Sequence, residues 1–428
     1  MRVLLHLTTL LTFAGSGALS ASPPPRGFVA ARNGRFEIAG APFRYGGTNT
    51  YYLHYESEFM VRSALQHAAD NGFSVLRAWT FMDETDCAGP GGNNGVVFQC
   101  RDAASGEVRI NHTALARLDY AVATAAELGV RLVLTFTNNW PDFGGMDTYI
   151  RWRQASGDAS FNATHDAFYT DAAIQTWYRA WITALVTRVN SLTGVPYSED
   201  PAIFAWQLAN EPRCGGSGPF PASAACGTAA GTPLPAWVAS TAAFVRSLDA
   251  NHMISVGDEG FACNDAGLCP GGAWWCDCSS GVSSARFAAA PDVSYVTAHL
   301  YPESWGTDAA WGSSWIASHA ALAHAGNGGA PPRPFVVEEF GISSKSAPQH
   351  SVYANWTATA LSSGADGFHF WMSVGLEDGG KQWYPGDELN IVCPAPGEPP
   401  VPAPSDPQSC AVLVAAASAM AKAAAAAV

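Results

Sequence analysis

Two glutamates in this sequence stand where carboxylates could act on one substrate together. Glu211 follows the apolar run 203–209 within an Asn-Glu-Pro-Arg segment, and Glu339 lies near the end of the apolar run 335–340. Paired carboxylates can cleave a glycosidic bond, because one protonates the leaving oxygen while the other attacks the anomeric carbon at a separation of roughly 5 Å. Burial and the charge of its partner would raise the pKa of the acid and keep it protonated. The alternative, a helix-capping Glu211 and a structural salt bridge at Glu339, is disfavoured because both motifs occur together.

Other polar and aromatic side chains gather at the ends of neighbouring apolar runs. They are Arg77, Asn139, Trp140, His299, Tyr301 and Trp371, together with Asn210 beside Glu211. Burying Arg, Asn and His side chains is costly unless they pair with other groups or react. Glu338 directly precedes Glu339. Because successive side chains alternate along a strand, we expect Glu338 to point away from the site and to be structural.

Eight short apolar runs, rich in β-branched and aromatic residues, predict eight β-strands. They cover residues 43–47, 75–81, 131–137, 203–209, 253–257, 293–300, 335–340 and 367–372. Most are continuous rather than alternating, as is expected of strands that are covered on both faces.

Helical patterns separate these runs, and three of them end at Gly72, Gly129 and Gly194, where glycine favours the end of a helix. Later candidates cover 284–289, 311–325 and 348–363, and a last one begins at about Ser409. Strand then helix, repeated eight times, predicts an α/β fold, a (β/α)₈ TIM barrel with extended loops at the strand ends. We expect residues 21–428 to form this single catalytic domain. A hairpin turn at 32–35 would lie under the barrel, and a proline-rich loop at 394–407 would precede the last helix.

The composition fits a soluble protein that acts on a neutral substrate. The 428 residues carry a formal net charge of -14 with 14% charged residues and no long basic stretch, so we expect no nucleic-acid partner. Residues 1–20 have the charged start, the apolar run and the small residues of a secretory signal peptide. We therefore expect a secreted, extracellular monomer without a membrane partner. A lipid-anchor signal in the Ala-rich end 410–428 stays an alternative.

Ten cysteines and three Asn-x-Thr triplets agree with secretion. The triplets begin at Asn111, Asn162 and Asn355. Four cysteines crowd the loop 258–284, namely Cys263, Cys269, Cys276 and Cys278. A zinc site is an alternative to disulfides there, but the flanking residues lack a zinc-finger pattern.

The motifs at the strand ends resemble the endo-β-1,4-mannanases of glycoside hydrolase family 5. The longest match is Asp-Pro-Ala-Ile-Phe-Ala-Trp-Gln-Leu-Ala-Asn-Glu-Pro-Arg-Cys at 200–214, whose Asn-Glu-Pro core is typical of the clan. Further matches lie at 77–81, at 138–140 with the glycines 144–145, at 299–302 with Trp305, and at 339–341. The likeness covers almost the whole mature chain. The cysteine-rich loop 258–284 departs from the pattern, so the resemblance implies no sugar contacts from that loop.

The resemblance implies a double displacement with retention, in which Glu211 is the acid/base and Glu339 the nucleophile. Arg77 and Tyr301 would keep Glu339 ionised by lowering its pKa. The same resemblance implies substrate-binding or supporting roles for Asn210 at the sugar 2-hydroxyl, His299 beside the acid/base, Trp371 under the reacting sugar, and Trp140, Trp305 and Asn139. Apart from the resemblance, Cys214 and Cys226 are close enough in the sequence for a local disulfide. Trp140 and Trp305 could instead be core residues, and His299 a buried histidine with satisfied hydrogen bonds.

Three other functions are alternatives to the hydrolysis of mannan, glucomannan or galactomannan. A related barrel could cut β-1,4-glucan, because discrimination at the 2-hydroxyl depends on side-chain placement. A non-catalytic sugar-binding barrel would have lost one of the carboxylates, and both are present. A metal-dependent hydrolase would need clustered histidines at the strand ends, and His299 stands alone there, so we expect no metal and no cofactor.

Overall fold

The computed structural model describes residues 27–228, 231–263, 273–326 and 330–426, and the expected signal peptide at 1–20 lies outside them. The strands are β1 (Val29–Arg32), β2 (Arg35–Ile38), β3 (Ala41–Phe43), β4 (Tyr45–Asn49), β5 (Val75–Trp79), β6 (Asp83–Glu84), β7 (Gln99–Arg101), β8 (Val108–Ile110), β9 (Arg131–Thr135), β10 (Ile203–Gln207), β11 (Met253–Ser255), β12 (Val296–Leu300), β13 (Phe335–Phe340) and β14 (Gly367–Phe370). The helices are α1 (Glu58–Asp70), α2 (Ala116–Leu128), α3 (Gly145–Gln154), α4 (Ala167–Thr170), α5 (Ala172–Val186), α6 (Leu234–Leu248), α7 (Ser284–Ala288), α8 (Pro302–Trp305), α9 (Ala309–Ala325), α10 (Gln349–Ser362) and α11 (Ser409–Ala425).

Eight parallel strands form the central sheet, in the order β11-β10-β9-β5-β4-β14-β13-β12. The two end strands approach each other, because Ser294 N donates to Ile254 O at 2.7 Å and His299 N donates to Glu259 O at 3.1 Å. These bonds bring the edges of the sheet together into a barrel, and the prediction of a (β/α)₈ fold is confirmed. Each barrel strand overlaps one of the eight predicted runs.

The barrel strands are apolar along their length because both of their faces are covered. Every residue of the eight strands is buried. One face packs against the surrounding helices, and the other fills the interior of the barrel. At the lower end, the ring of Phe36 from the β1–β2 hairpin lies 5.3 Å from that of Phe204 and 5.4 Å from that of Tyr295. The expected hairpin therefore closes the floor of the barrel.

Several loop elements were not predicted. The connection after β5 contains the small sheet β6–β8, in which the disulfide Cys87–Cys100 joins the loop before β7 to β7 itself. The connection between β9 and β10 contains α3 and α4 in addition to the expected α5. These short segments have too few residues to show a clear sequence period, so their type depends on tertiary contacts.

Four disulfides join described residues: Cys87–Cys100, Cys214–Cys226, Cys263–Cys278 and Cys393–Cys410. The expected local pair Cys214–Cys226 is among them. Cys276 is also disulfide-bonded, and Cys269 lies outside the described residues. The zinc alternative for the loop 258–284 is wrong, because oxidised sulfurs are not available as thiolate ligands.

The Ala-rich helix α11 is part of the barrel's outer layer. Leu413, Ala417 and Met420 are buried against α10 and β4, and Cys410 is tied to the loop before the helix. Its small side chains allow a close approach, since a Cβ atom on Gly46 of β4 would collide with Ala417. None of the helices within the described ranges has the length and apolarity that crossing a bilayer requires.

We expect Ala417→Leu to destabilise the fold by roughly 1–3 kcal/mol, because the larger side chain has no space against Gly46. The matched control is Ala415→Leu, which places the same side chain on the exposed face of α11. Urea unfolding of the three proteins measures the difference. Equal stability of the two variants would show that α11 is not packed as described.

Candidate active site

A cavity of about 400 Å³ opens at the carboxyl ends of the barrel strands. It is lined by Trp79, Trp140, Asn210, Glu211, Arg213, Glu259, Trp274, Tyr301, Ser304, Trp305, Glu339 and Trp371. Seven of the ten residues expected from the sequence are in this lining. The other three are Arg77 and His299, which lie fully buried behind the carboxylates, and Asn139, which faces away from the cavity.

Glu211 is held by the turn that follows β10. Its backbone has a φ of 50°, a conformation that is uncommon for a residue with a side chain and is kept only where the surroundings fix it. Glu211 N donates to Gly257 O at 2.8 Å, and Arg213 N donates to Asn139 Oδ1 at 3.0 Å. Beyond the turn, Cys214 N donates to Ser280 O at 2.8 Å. The turn is therefore anchored on both sides.

The Glu211 carboxylate has one partner on each oxygen. His299 Nδ1 lies 2.7 Å from Oε1, and Trp140 Nε1 donates to Oε2 at 2.6 Å. Trp140 is thus more than a core residue, because it fixes the orientation of this carboxylate. His299 is buried but is not an isolated structural histidine, because its ring contacts the site directly.

The Glu339 carboxylate is held by a cation and a hydroxyl. Arg77 forms an ion pair with Oε1, and the Tyr301 hydroxyl donates to Oε2 at 2.7 Å. Arg77 also donates from Nε to Gln207 Oε1 and from its second terminal nitrogen to Asn210 Oδ1, both at 2.7 Å. The guanidinium therefore sets the position of Glu339 and of Asn210 at the same time.

Asn210 lines the cavity with its carboxamide fixed. Its Oδ1 accepts from Arg77, and its Nδ2 donates to Asn138 Oδ1 at 3.0 Å. The amide nitrogen has a second hydrogen, which is left for a ligand. This arrangement is compatible with the expected contact to a sugar hydroxyl.

The pKa values of the two carboxyls are shifted in the directions opposite to those expected from the sequence. Burial by itself raises the pKa of Glu211, but the hydrogen bond with His299 and the charge of that imidazolium lower it to about 2. Burial raises the pKa of Glu339, and the charges of His299 and Arg77 offset this only in part.

The expectation was wrong because it left out the positive charge of His299. Burial lowers the pKa of His299, but the charge of Glu339 and the hydrogen bond with Glu211 raise it to about 10. The lowered pKa of Glu211 and the raised pKa of His299 place the proton of their 2.7 Å hydrogen bond on the imidazole.

The expectation for Glu338 was also wrong. Its side chain does not point away from the site, since Oε2 accepts from Gln207 Nε2 at 2.7 Å and lies 3.6 Å from Arg77 Nε. The pairing of β12 with β13 changes register at this point: Ala298 pairs with Val337, and His299 then pairs with Glu339. The irregularity breaks the alternation of side chains, so two successive glutamates face the same guanidinium.

Aromatic rings line the cavity beside the carboxylates. Trp371 lies parallel to Tyr51 at 6.0 Å and beside Trp79 at 5.8 Å, and its Nε1 donates to Asp387 Oδ2 at 2.9 Å. Trp371 is half-buried and presents a face to the cavity. Trp305 also lines the cavity, so the alternative of a pure core role does not hold for it.

Asn139 supports the site from behind. Its Oδ1 lies 2.9 Å from Nε2 of the buried His165, whose Nδ1 lies 2.7 Å from Asp147 Oδ1. The same Oδ1 accepts from Arg213 N. The residue therefore fixes the turn that carries Glu211 and has no oxygen left for a sugar.

Sequence reasoning missed the pair of Arg213 and Glu259. Arg213 donates to both oxygens of Glu259, at 2.6 and 2.5 Å, and its guanidinium lies over the rings of Trp140 at 5.0 Å and Trp274 at 5.6 Å. Burial and the charge of Glu211 raise the pKa of Glu259 to about 7. The Asn-Glu-Pro-Arg segment was a signal for Arg213. The sequence contained no such signal for Glu259 and Trp274, because both lie in the cysteine-rich loop that departs from the family pattern.

The atoms of Glu211, His299 and Glu339 could also bind a divalent cation, since one ligand atom of each lies within 4.8 Å of the others. Within the described ranges this is the one such group. The fit to a metal is poor, because Arg77 already forms an ion pair with Glu339 and His299 would have to release a proton.

Known proteins share both this sequence pattern and this architecture. A family model described as glycoside hydrolase family 5, β-mannosidase-like, matches residues 26–363. The chain therefore belongs to this family. The match covers seven of the eight barrel strands, with both glutamates of the site.

Relatives of this family 5 glycoside hydrolase are similar over most of their length. A probable mannan endo-1,4-β-mannosidase A of Aspergillus oryzae is 32% identical over 90% of this chain and 87% of its own. Mannan endo-1,4-β-mannosidase A of Hypocrea jecorina is 32% identical over 85% of this chain and 75% of its own. The crystal structure of the endo-1,4-β-mannanase from Rhizomucor miehei matches with a TM-score of 0.78 and 32% identity, covering 92% of this chain and all of that one (100%).

We expect Arg77→Met to destabilise the protein by about 3–5 kcal/mol at pH 7, because Glu338 and Glu339 would then be buried without their cation. The loss should shrink as the pH falls. Without the cation, burial raises the pKa values of both carboxyls, so they take up protons and become neutral.

Urea unfolding at pH 7 and at pH 5 measures both effects. Arg62→Met is the matched control, because it removes a surface ion pair with Glu127. A loss for Arg77→Met that is no larger than the control's, or that grows on acidification, would contradict the described ion pairs.

Proposed function

We propose that this glycoside hydrolase is an endo-β-1,4-mannanase, which cleaves internal linkages of mannan, glucomannan or galactomannan with retention of configuration. The observation that carries the proposal is the pair Glu211 and Glu339, which line one cavity with oxygens within 4.8 Å of each other. This spacing suits a retaining enzyme, in which carboxyl groups roughly 5 Å apart allow direct attack on the sugar. The names of the relatives support mannan as the substrate.

In the first step, a Glu339 oxygen attacks the anomeric carbon of the sugar bound against Trp371. Arg77 and Tyr301 hold the attacking carboxylate in place and favour its ionised form. The glycosidic C–O bond breaks, and Glu211 gives its proton to the leaving oxygen. Substrate in the cavity excludes water from Glu211, which disfavours the ionised form and makes proton transfer easier.

In the second step, Glu211 acts as a base. It takes a proton from a water molecule, whose oxygen attacks the anomeric carbon and releases Glu339. The two inversions restore the original configuration. Transfer to another sugar in place of water is the corresponding side reaction.

The walls of the cavity support a polymeric substrate. Trp371 lies beside Trp79 at 5.8 Å, and Arg213 lies over the rings of Trp140 and Trp274. These four rings and Trp305 all line the cavity. Several aromatic faces beside the two carboxylates suit an enzyme that binds more than one sugar of a chain.

The disulfides support secretion. Bonds of this kind form and persist in oxidising compartments, and four join described residues. The acceptor residues Asn111, Asn162 and Asn355 are exposed, so a glycan could be attached at each of them. We propose that the chain is exported by its N-terminal segment. Glycosylation at these positions stays a prediction.

We expect Glu339→Ala to lower the release of reducing ends from linear β-1,4-mannan at least about 10³-fold, and Glu211→Gln to lower it about 10²–10⁴-fold. The roles separate on aryl mannosides. Glu211→Gln should still release a strongly acidic phenol, which leaves without protonation, whereas Glu339→Ala should not. Azide should rescue Glu339→Ala by forming an α-mannosyl azide, and it should give a β-mannosyl azide with Glu211→Gln.

Glu127→Gln is the control, because it neutralises an exposed glutamate on α2. Carboxymethylcellulose is assayed in parallel. Activity on cellulose alone would contradict the substrate, and release of single mannose units from chain ends would contradict the endo mode. A β-mannosyl azide from Glu339→Ala, together with an α-mannosyl azide from Glu211→Gln, would show that the two roles are reversed.

We expect dialysis against EDTA to leave the activity on mannan unchanged, because proton transfer and attack need only the side chains named above. Added Mg²⁺, Mn²⁺ or Zn²⁺ should not raise the activity of the dialysed protein. A loss on dialysis that one of these cations restores would favour the metal-dependent alternative.

A further inference from the structure

The proposed mechanism gives no role to Glu338, a buried charge directly beside the attacking Glu339 in the chain. Glu338 is fully buried, and only its Oε2 has a hydrogen-bonding partner, Gln207 Nε2 at 2.7 Å. A buried carboxylate is expensive unless it is compensated by nearby cations. The role of Glu338 can therefore be inferred from the cations that lie close to it.

One of these cations is His299, whose two ring nitrogens face carboxylates on opposite sides. Nδ1 lies 2.7 Å from Glu211 Oε1 and 3.6 Å from Glu339 Oε2, and Nε2 lies 3.7 Å from Glu338 Oε2. In a neutral imidazole, one nitrogen would present a lone pair to a carboxylate. The doubly protonated ring is the form that suits both sides.

The other cation is already shared. Arg77 lies 3.6 Å from Glu338 Oε2, but it also forms the ion pair with Glu339 and hydrogen bonds to Gln207 and Asn210. One guanidinium thus faces two glutamates and cannot neutralise both of them. The negative charge that remains on Glu338 acts on His299.

The remaining titratable groups around Glu338 are neutral. Burial lowers the pKa of His369 to about 3, and its Nε2 lies 3.1 Å from the Tyr45 hydroxyl. Burial raises the pKa values of Tyr45 and Tyr295 well above their usual range. Among the described residues, neither His299 Nε2 nor Glu338 Oε1 has a hydrogen-bonding partner, so no hydrogen bond competes with the charge contact between Nε2 and Oε2.

We propose that Glu338 is a positioning residue that keeps a transferable proton on the Glu211–His299 pair by holding His299 Nε2 in its protonated form. The proposal rests on the function proposed above and adds a source for the acid's proton. The Nδ1 proton moves to Glu211 Oε1 along the 2.7 Å hydrogen bond, and the imidazole becomes neutral with its Nε2 hydrogen facing Glu338. Glu211 passes this proton to the leaving oxygen. In the second step, Glu211 takes a proton from water, and this proton returns to His299 Nδ1.

The test is the pH dependence of kcat/KM on mannan for Glu338→Gln, which removes the charge and keeps the shape. The alkaline limb reports the loss of the shared proton from the free enzyme. Removing a negative charge beside the imidazolium lowers that pKa, so we expect the limb to move to lower pH by about one unit or more. A purely structural role would lower kcat/KM at every pH and leave the limb in place.

Two further variants make the result specific. Asp249→Asn is the matched control, because Asp249 is a buried carboxylate that lies 2.6 Å from Nδ1 of the buried His252, beside the start of β11 at the opposite end of the barrel. We expect the alkaline limb of kcat/KM for Asp249→Asn to coincide with that of the wild type. Glu338→Asp keeps the charge at a greater distance and should move the limb less than Glu338→Gln. If Glu338→Gln does not fold, an unmoved limb in Glu338→Asp overturns the proposal.

A second measurement does not depend on activity. The ¹⁵N shifts of the His299 ring, assigned by comparison with His299→Asn, give the imidazole pKa directly. We expect it to be alkaline in the wild type and lower by about one unit or more in Glu338→Gln. Equal His299 titrations in these two proteins overturn the role of Glu338, whatever the substrate is. A wild type that does not cut mannan while the titrations differ overturns the proposed function alone.

Discussion

The buried charge of Arg77 is the interaction on which the arrangement of the site depends. Its guanidinium lies behind the cavity, forms ion pairs with Glu338 and Glu339, and donates to Gln207 and Asn210. Without this cation, two successive buried carboxylates would repel each other and would have only the imidazolium of His299 as a counter-charge. With it, one planar guanidinium fixes both the carboxylate of Glu339 and the side-chain amide of Asn210. A lysine ammonium, a single charge on a flexible side chain, would not hold both groups in place.

The barrel brings these groups together because parallel strands end at the same rim. Arg77 comes from β5, Glu211 follows β10, His299 lies on β12 and Glu339 on β13. The strands themselves are held together by apolar packing on both faces, so the residues at their ends can be polar and can serve the chemistry. The acid side of the site is the more strained one, since Glu211 adopts a φ of 50° that its neighbours must maintain.

The repeated strand and helix patterns were enough to predict the barrel and to place Glu211 and Glu339 at one rim. Three features lay beyond the sequence for physical reasons. The direction of the Glu338 side chain depends on a register change opposite His299, and no residue type in the sequence predicts that change. The pKa of Glu211 depends on how close an imidazole comes, and a sequence contains no such distance. The contact of Trp274 with Arg213 depends on a loop whose course is set by disulfides rather than by periodicity.

The most direct test of the central claim is to trap the covalent intermediate with a 2-deoxy-2-fluoro-β-mannosyl fluoride. Fluorine at the second carbon slows both steps, while fluoride leaves readily, so the sugar accumulates on the attacking carboxylate. Mass spectrometry of the digested protein should find one sugar, attached to Glu339. A label on another residue, or an unlabelled enzyme that still turns over the fluoride, would contradict double displacement through Glu339.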